Sequence, residues 1–138
     1  MDQLNFHTPR KSPPHSVLGA VNLPILQKAA DAYKLWHGFL ENFPRLSRFT
    51  LGSRIDGLFL ETVELILLAG YSAKTQKLTI VLRAGTKLDA LKFFLKIAWE
   101  LKALDNKKYI RLSEPLVEVG KMLGGWRKQL LQYETPPE

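Results

Sequence analysis

The sequence predicts an all-α protein built as an antiparallel four-helix bundle. Four segments carry apolar residues at the three- and four-residue spacing of an amphipathic helix. Short links join these segments, and such links place consecutive helices side by side in opposite directions. With 138 residues, 46% of them hydrophobic and 24% charged, the chain is large and apolar enough for one self-sufficient core.

The chain divides into an arm, a bundle domain and a tail. Residues 1–22 contain three prolines and two basic side chains without apolar periodicity, so we expect a flexible basic arm. Residues 23–133 are expected to form the bundle. Residues 134–138 read Glu-Thr-Pro-Pro-Glu, which predicts a non-helical tail.

Proline and glycine residues mark the predicted ends of the first two helices. The first is expected to begin at Pro24 with Asn22 as its cap. It should end before Pro44, because proline disfavours helical geometry at the preceding residue. The second is expected from about Leu46 to Gly70, a residue type that commonly ends helices. Its start, Arg48–Gly52, could be either loop or the first turn. Its predicted inner face comprises Ile55, Leu58, Phe59, Thr62, Leu65, Ile66 and Ala69.

The third segment, from about Lys74 to Leu104, contains a β-branched run, Leu78–Leu82, that is typical of a strand. No other segment offers a convincing strand to pair with it, and an unpaired strand would leave its backbone groups unsatisfied. We therefore predict one long helix, loosened at Gly85 and ended by Asp105-Asn106.

The stretch from Leu88 to Lys102 is apolar on almost every side of the predicted helix. A single small domain covers only one side of such a helix. We therefore expect this helix to face both its own core and a partner subunit, leaving its lysines for an anionic ligand.

The fourth helix is expected over about 107–133, with its apolar face around Leu116 and Leu123. It either begins or kinks at Pro115. Glycine inside a helix costs about 0.5–1 kcal/mol relative to alanine. Gly120 and Gly124, which lie one turn apart, together with the adjacent glycine, are therefore expected to permit close approach of a neighbouring helix backbone.

Composition excludes several classes of protein. The chain has no cysteine, which removes disulfides, thiolate catalysis and sulfur ligation of metals. The apolar runs are shorter than a membrane span, and the first residues lack the apolar core of a secretory signal. A cytoplasmic protein without a membrane partner is the expectation.

The chain offers no recognisable catalytic constellation. It has neither the glycine-rich phosphate loop of nucleotide hydrolases nor the Gly-x-Ser-x-Gly elbow of acyl-transfer enzymes. Glu61 and Glu64 could begin a carboxylate metal site, but such bundles also need paired histidines. His7 and His15 lie in the arm, and His37 stands alone. We therefore predict no catalytic residue, no metal, no cofactor and no enzymatic activity.

Charge points instead to an anionic partner. The net charge is +7, and residues 74–104 hold seven basic and two acidic side chains, a net of +5. Residues 105–133 hold six basic and three acidic side chains, a net of +3, whereas residues 24–73 are neutral. An uneven positive charge of this kind favours partners such as nucleic acid.

Seven basic residues are candidate phosphate contacts: Arg83, Lys87, Lys92, Lys96, Lys102, Arg127 and Lys128. Lys92 and Lys96 are four residues apart and project together, as do Arg83 and Lys87. Lys102 is expected to extend the first pair along the same helix. The alternative is a merely solvated face, with the last two candidates favoured by a helix C-terminus.

Three stretches carry a resemblance to a known family. They are Phe43-Pro-Arg-Leu-Ser-Arg-Phe-Thr-Leu-Gly-Ser-Arg-Ile55, Leu88-x-x-Leu-Lys-Phe-Phe-Leu-Lys96 and Glu118-Val-Gly-Lys-Met-Leu-Gly-Gly-Trp126. In this order and spacing they resemble the Avd proteins, the accessory variability determinants of diversity-generating retroelements. The resemblance covers about residues 23–132.

Proteins encoded in 23S rRNA intervening sequences belong to the same superfamily but usually carry Asn-Ile-x-Glu-Gly in the second helix. This chain has Glu64-Leu-Ile-Leu-Leu-Ala-Gly70 there, which favours the Avd branch.

The resemblance implies a basic pentameric barrel without catalysis of its own. Avd proteins bind the retroelement reverse transcriptase and nucleic acid, and the complex copies template RNA into cDNA with errors at adenines. Lys92 and Lys96 match the paired basic positions of the family's third helix, which implies contact with nucleic acid or polymerase. The other five basic candidates are inferred from charge. The competing hypothesis is a structural bundle of the rRNA type, whose lysines only keep it soluble.

Overall fold

The computed structural model describes residues 23–134, so the predicted arm and residues 135–138 of the predicted tail lie outside the described residues. The helices are α1 (Pro24–Leu40), α2 (Arg45–Ser47), a π-helix (Arg48–Gly52), α3 (Ser53–Tyr71), α4 (Lys74–Glu100) and α5 (Asn106–Glu134). No strand occurs in this range, and Leu78–Leu82 is helical. No helix within it is long and apolar enough to cross a bilayer.

The four long helices, α1, α3, α4 and α5, pack in a closed cycle. Each contacts the next along the chain, and α5 returns to contact α1. Contacts between α3 and α4 run in opposite directions along the two helices: Lys77 Nζ donates to Ala69 O at 2.7 Å, and Lys87 Nζ lies 3.4 Å from Glu61 Oε1. The predicted all-α four-helix bundle is confirmed.

Aromatic side chains build the core between α1 and α3. Trp36 is fully buried and stacks on Phe59 with ring centroids 6.0 Å apart. Asp56 Oδ1 accepts hydrogen bonds from Trp36 Nε1 at 3.0 Å and from Tyr33 Oη at 2.9 Å, which satisfies both donors. Burial, followed by the hydrogen bond and the charge of Asp56, raises the pKa of Tyr33. This network fixes α1 on the first turn of α3.

The first helix ends at Leu40, three residues before the predicted limit at Phe43. Phe43 is 2% exposed and packs edge-on against Trp36 at 5.6 Å, so the chain leaves the helix axis to bury this ring. At the other end, Leu23 occupies the cap position without a side-chain hydrogen bond. Asn22, the predicted cap, lies outside the described residues.

The π-helix accommodates Phe43. A methyl group built on Gly52 would lie 3.3 Å from Phe43 Cδ2, closer than ordinary packing allows. Arg48 Nη2 donates to the carbonyl oxygens of Glu41 and Phe43 at 3.0 and 3.1 Å, which holds the link in place. The second predicted helix is therefore present, but residues Arg48–Gly52 near its start follow the wider π-helical geometry.

The third predicted helix is continuous through Gly85, so the expected loosening there is wrong. Its predicted end at Leu104 is also wrong, because α4 ends at Glu100. Lys102 has a left-handed backbone with φ 64°, and Ala103 N donates to Ala98 O at 2.8 Å. These features form a Schellman motif, which ends a helix and normally uses glycine where Lys102 stands.

The last helix begins at Asn106, directly after the turn. Asp105 Oδ1 accepts a hydrogen bond from Lys108 N at 2.8 Å and so caps α5. Pro115 lies inside this continuous helix, so a helix start at Pro115 is wrong. A proline there leaves the carbonyl oxygen of Arg111 without its usual helical donor.

Candidate nucleic-acid interface

A shallow depression runs between α4 and α5, and we call it the α4–α5 groove. Its cavity has a volume of about 320 Å³ and is lined by Val81, Leu82, Gly85, Thr86, Leu88, Asp89, Gly120, Leu123, Gly124 and Arg127. Glycines from both helices contribute to the lining, and Arg127 supplies a cation. The sequence predicted neither the groove nor this grouping.

The glycines open this groove rather than drawing the helices together. A methyl group built on Gly85, Gly124 or Gly125 would meet nothing within 4 Å. On Gly120 it would meet only side-chain atoms at van der Waals distance, Leu88 Cδ2 at 3.6 Å and Lys92 Nζ at 3.7 Å. The predicted close approach of a helix backbone is therefore wrong.

Lys92 and Lys96 lie beside the groove. Lys92 is half-buried, and its ammonium group lies over Gly120 of α5. Lys96 follows one turn later on the same face of α4 and is exposed. The groove lining itself contains one cation, Arg127, and one carboxylate, Asp89.

Arg83 and Lys87 lie on the other side of α4. Lys87 Nζ is 3.4 Å from Glu61 Oε1 on α3, whereas Lys92 contacts α5. The structure therefore separates the two predicted basic pairs, Lys92 with Lys96 and Arg83 with Lys87. Glu61 offsets the charge of Lys87, and a half-exposed ion pair of this kind contributes about 0–1 kcal/mol to stability. Arg83 is exposed one turn earlier.

The remaining two cationic candidates lie outside the groove lining. Lys102 is exposed in the α4–α5 turn, so the prediction that it extends the first pair along the helix is wrong. Lys128 is exposed and follows Arg127 around α5 by about 100°. The structure thus places Arg127 in the groove lining, Lys92 next to the lining residue Gly120, and Lys96 one turn farther along α4. The other four candidates lie elsewhere.

Glu61 and Glu64, the two carboxylates considered for a metal site, lie in different environments. Glu61 forms the ion pair with Lys87, and Glu64 is exposed. Within residues 23–134 no three acidic or histidine side chains are close enough together to hold a metal ion.

An ordered aromatic pair lies at the end of α4, on the same helix face as Lys92 and Lys96. Trp99 stacks on Tyr109 with ring centroids 5.1 Å apart and 10° between the planes. Trp99 Nε1 donates to Asn106 Oδ1 at 2.6 Å. At helical spacing among leucines, a tryptophan such as Trp99 is more often a core or interface residue than a platform on which bases stack. Its position seven residues after Lys92, two turns along one helix face, is the signal that could have indicated a site.

The outer face of α4 exposes large apolar side chains. Phe93 is 58% exposed and Leu82 is 46% exposed, although α4 also buries Leu88, Leu91 and Leu95 in the core. The helix is therefore apolar on two sides, as the sequence predicted. The partner subunit expected to cover the outer side remains a prediction.

A family model described as bAvd-like matches residues 23–130 of the chain. The match extends from the residue before α1 to near the end of α5, and it includes the complete lining of the α4–α5 groove. No curated protein matches the sequence.

Proposed function

The chain belongs to the bAvd-like family, and we propose that it is a non-catalytic accessory protein of a diversity-generating retroelement. It binds the retroelement reverse transcriptase together with template RNA and cDNA in the cytoplasm, and it supports their error-prone copying. The observation that carries this proposal is the family match over residues 23–130. The basic side chains beside the α4–α5 groove add independent support.

The groove fits a polyanion better than a small molecule. The groove is shallow and open, with a volume of about 320 Å³. Its lining contains Arg127, and Lys92 Nζ lies next to Gly120, another residue of the lining. Lysine and arginine bind phosphates largely independently of base sequence, and this binding weakens as salt rises. We therefore propose that Lys92, Lys96 and Arg127 contact the sugar–phosphate backbone.

The same proposal includes assembly of identical subunits, in keeping with the pentameric barrel of the family that the sequence resembles. The exposed Leu82 and Phe93 on the outer face of α4 supply an apolar surface for such contacts. In a ring, the groove of each subunit would add its charge to those of its neighbours. A long nucleic acid that contacts several subunits at once would then bind more tightly than a short one, because the later contacts form at a high effective concentration.

The test replaces both motif lysines, Lys92→Glu with Lys96→Glu. We expect loss of binding to single-stranded RNA and of co-purification with the reverse transcriptase, because two positive charges beside the groove become negative, which lowers the net charge by about four units. Fluorescence anisotropy with a labelled RNA at several salt concentrations measures the first, and affinity co-purification measures the second.

A matched control is Lys28→Glu with Lys34→Glu on α1, a helix that packs on α3 and α5. Both lysines are exposed, and the change in net charge is the same. The control should retain most of the RNA affinity. If the groove variant and the control bind RNA and polymerase equally well, the lysines have no such role.

The alternative, a structural bundle of the rRNA type, makes the opposite prediction. In that case the wild-type protein associates with no reverse transcriptase, and its gene lies apart from a reverse-transcriptase gene and an adenine-variable repeat. A host strain carrying the groove variant distinguishes the two. Loss of adenine substitutions in the variable repeat supports the retroelement role.

A further inference from the structure

Lys92, Lys96 and Trp99 form a straight line along α4. They occupy positions i, i+4 and i+7, which share one face of a helix. At a rise of about 1.5 Å per residue, the steps between them are about 6 Å and 4.5 Å along the axis. Both ends of the line face α5, because Lys92 lies over Gly120 and Trp99 stacks on Tyr109.

The indole ring of Trp99 is held in one orientation while part of it remains open. Tyr109 covers one face of the ring, and the hydrogen bond from Nε1 to Asn106 Oδ1 at 2.6 Å prevents it from rotating. Trp99 is nevertheless 36% exposed, whereas Trp36, whose indole nitrogen is also hydrogen-bonded, is fully buried in the core. A ring that is held in one orientation and partly exposed is pre-organised for contact with a ligand.

The space beside Trp99 is large enough for a planar group. A surface cavity of about 510 Å³ is lined by Trp99, Glu100, Lys102, Leu104, Asp105 and Asn106. The carboxylate of Asp105 is engaged, because it accepts the hydrogen bond from Lys108 N at 2.8 Å. Lys102 supplies a positive charge at this cavity, and Glu100 lies at the last turn of α4.

We propose that Trp99 is a stacking platform for an unpaired base of a single-stranded nucleic acid. The phosphates of that strand follow Lys96 and Lys92 into the α4–α5 groove. An unpaired base offers a free aromatic face to the indole ring, whereas the bases of a duplex are already stacked on each other. This inference rests on the proposed nucleic-acid binding and adds to it a preference for single strands.

The experiment compares wild type with Trp99→Leu on two probes of equal length, a single-stranded RNA of mixed sequence and the matching duplex. Leucine retains apolar contact with Tyr109 but has no ring on which a base can stack. We expect binding of the single strand to weaken about tenfold, which is the order of affinity contributed by stacking on one aromatic side chain. Duplex affinity should change little, and Trp99→Phe should restore part of the single-strand affinity.

A spectroscopic measurement reports on the ring directly. The chain has three tryptophans, and Trp36 is fully buried. Single-stranded oligoadenylate should quench the tryptophan fluorescence of the wild type, and most of this quenching should disappear in Trp99→Phe. Quenching that is the same in both proteins would show that the base does not contact Trp99.

The matched control is Phe49→Leu, which removes another exposed aromatic ring, one that lies in the π-helix outside the groove. Thermal unfolding of all variants checks that they remain folded. Equal single-strand affinity of Trp99→Leu and wild type overturns the platform, as does an equal loss on single strand and duplex. A wild type that binds neither probe rejects the proposed nucleic-acid binding itself, which the lysine variants test separately.

Discussion

Lys102 adopts a backbone conformation that residues other than glycine normally avoid. Its φ of 64° lies in the left-handed region, where a side chain crowds the backbone. The hydrogen bonds from Lys102 N to Trp99 O at 3.0 Å and from Ala103 N to Ala98 O at 2.8 Å require this conformation. They end α4 in the turn that positions Asn106 beneath Trp99. The chain keeps a lysine here although glycine would fit with less strain.

Replacing Lys102 with glycine should therefore stabilise the protein. We expect Lys102→Gly to raise the free energy of unfolding by about 1 kcal/mol, because glycine adopts positive φ without steric cost. Urea unfolding monitored by circular dichroism measures the change. Lys102→Ala, which removes the charge but keeps the strain, should give no comparable gain. An equal gain in both variants would indicate charge repulsion as the cause.

The α4–α5 pair is the element that combines charge with an open surface. α4 contributes Lys92 and Lys96, and α5 contributes Arg127 and glycines without close neighbours. The sequence indicated the lysines through their four-residue spacing, but it suggested tight helix packing at the glycines. The difference is physical, because glycine spacing permits close approach without requiring it. The separation of two helices depends on every side chain between them.

Gly124 provides a stability test of this open groove. Since a methyl group there meets nothing within 4 Å, Gly124→Ala should stabilise the protein by about 0.5–1 kcal/mol through helix propensity alone. Thermal unfolding by calorimetry measures the gain. The control is Gly52→Ala, whose methyl group would lie 3.3 Å from Phe43 Cδ2 and should yield less or destabilise. Destabilisation by Gly124→Ala would show that another helix does occupy the groove.

At the scale of the whole molecule, α4 is the helix with two apolar sides. One side lies in the core, and the other exposes Leu82 and Phe93 to 46% and 58%. Large exposed apolar side chains of this kind are candidates for a protein–protein contact. Leu82 also lines the α4–α5 groove, so the proposed assembly surface and the proposed nucleic-acid surface meet at this residue.

Assembly should depend on this outer face. We expect Leu82→Asp with Phe93→Asp to shift the protein from a multimer to a monomer, because the charges cannot be desolvated in a subunit contact. Multi-angle light scattering at micromolar protein concentration measures the mass. Phe93→Leu, which conserves apolar area, should leave the mass unchanged. A wild type that is itself monomeric under these conditions refutes the proposed assembly.

The sequence by itself determined the four-helix class and most of the core. All seven residues predicted for the inner face of α3 are buried, because helical periodicity is a local property that survives into the fold. Only the tertiary structure decided where α1 and α4 end, since Phe43 leaves its helix to reach Trp36 and Lys102 adopts a left-handed turn. The tertiary structure also decided that Lys87 pairs with Glu61, whereas Lys92 lies beside the groove. The reason is that spacing along a chain places a side chain on a helix face, whereas its partners depend on which helix packs against that face.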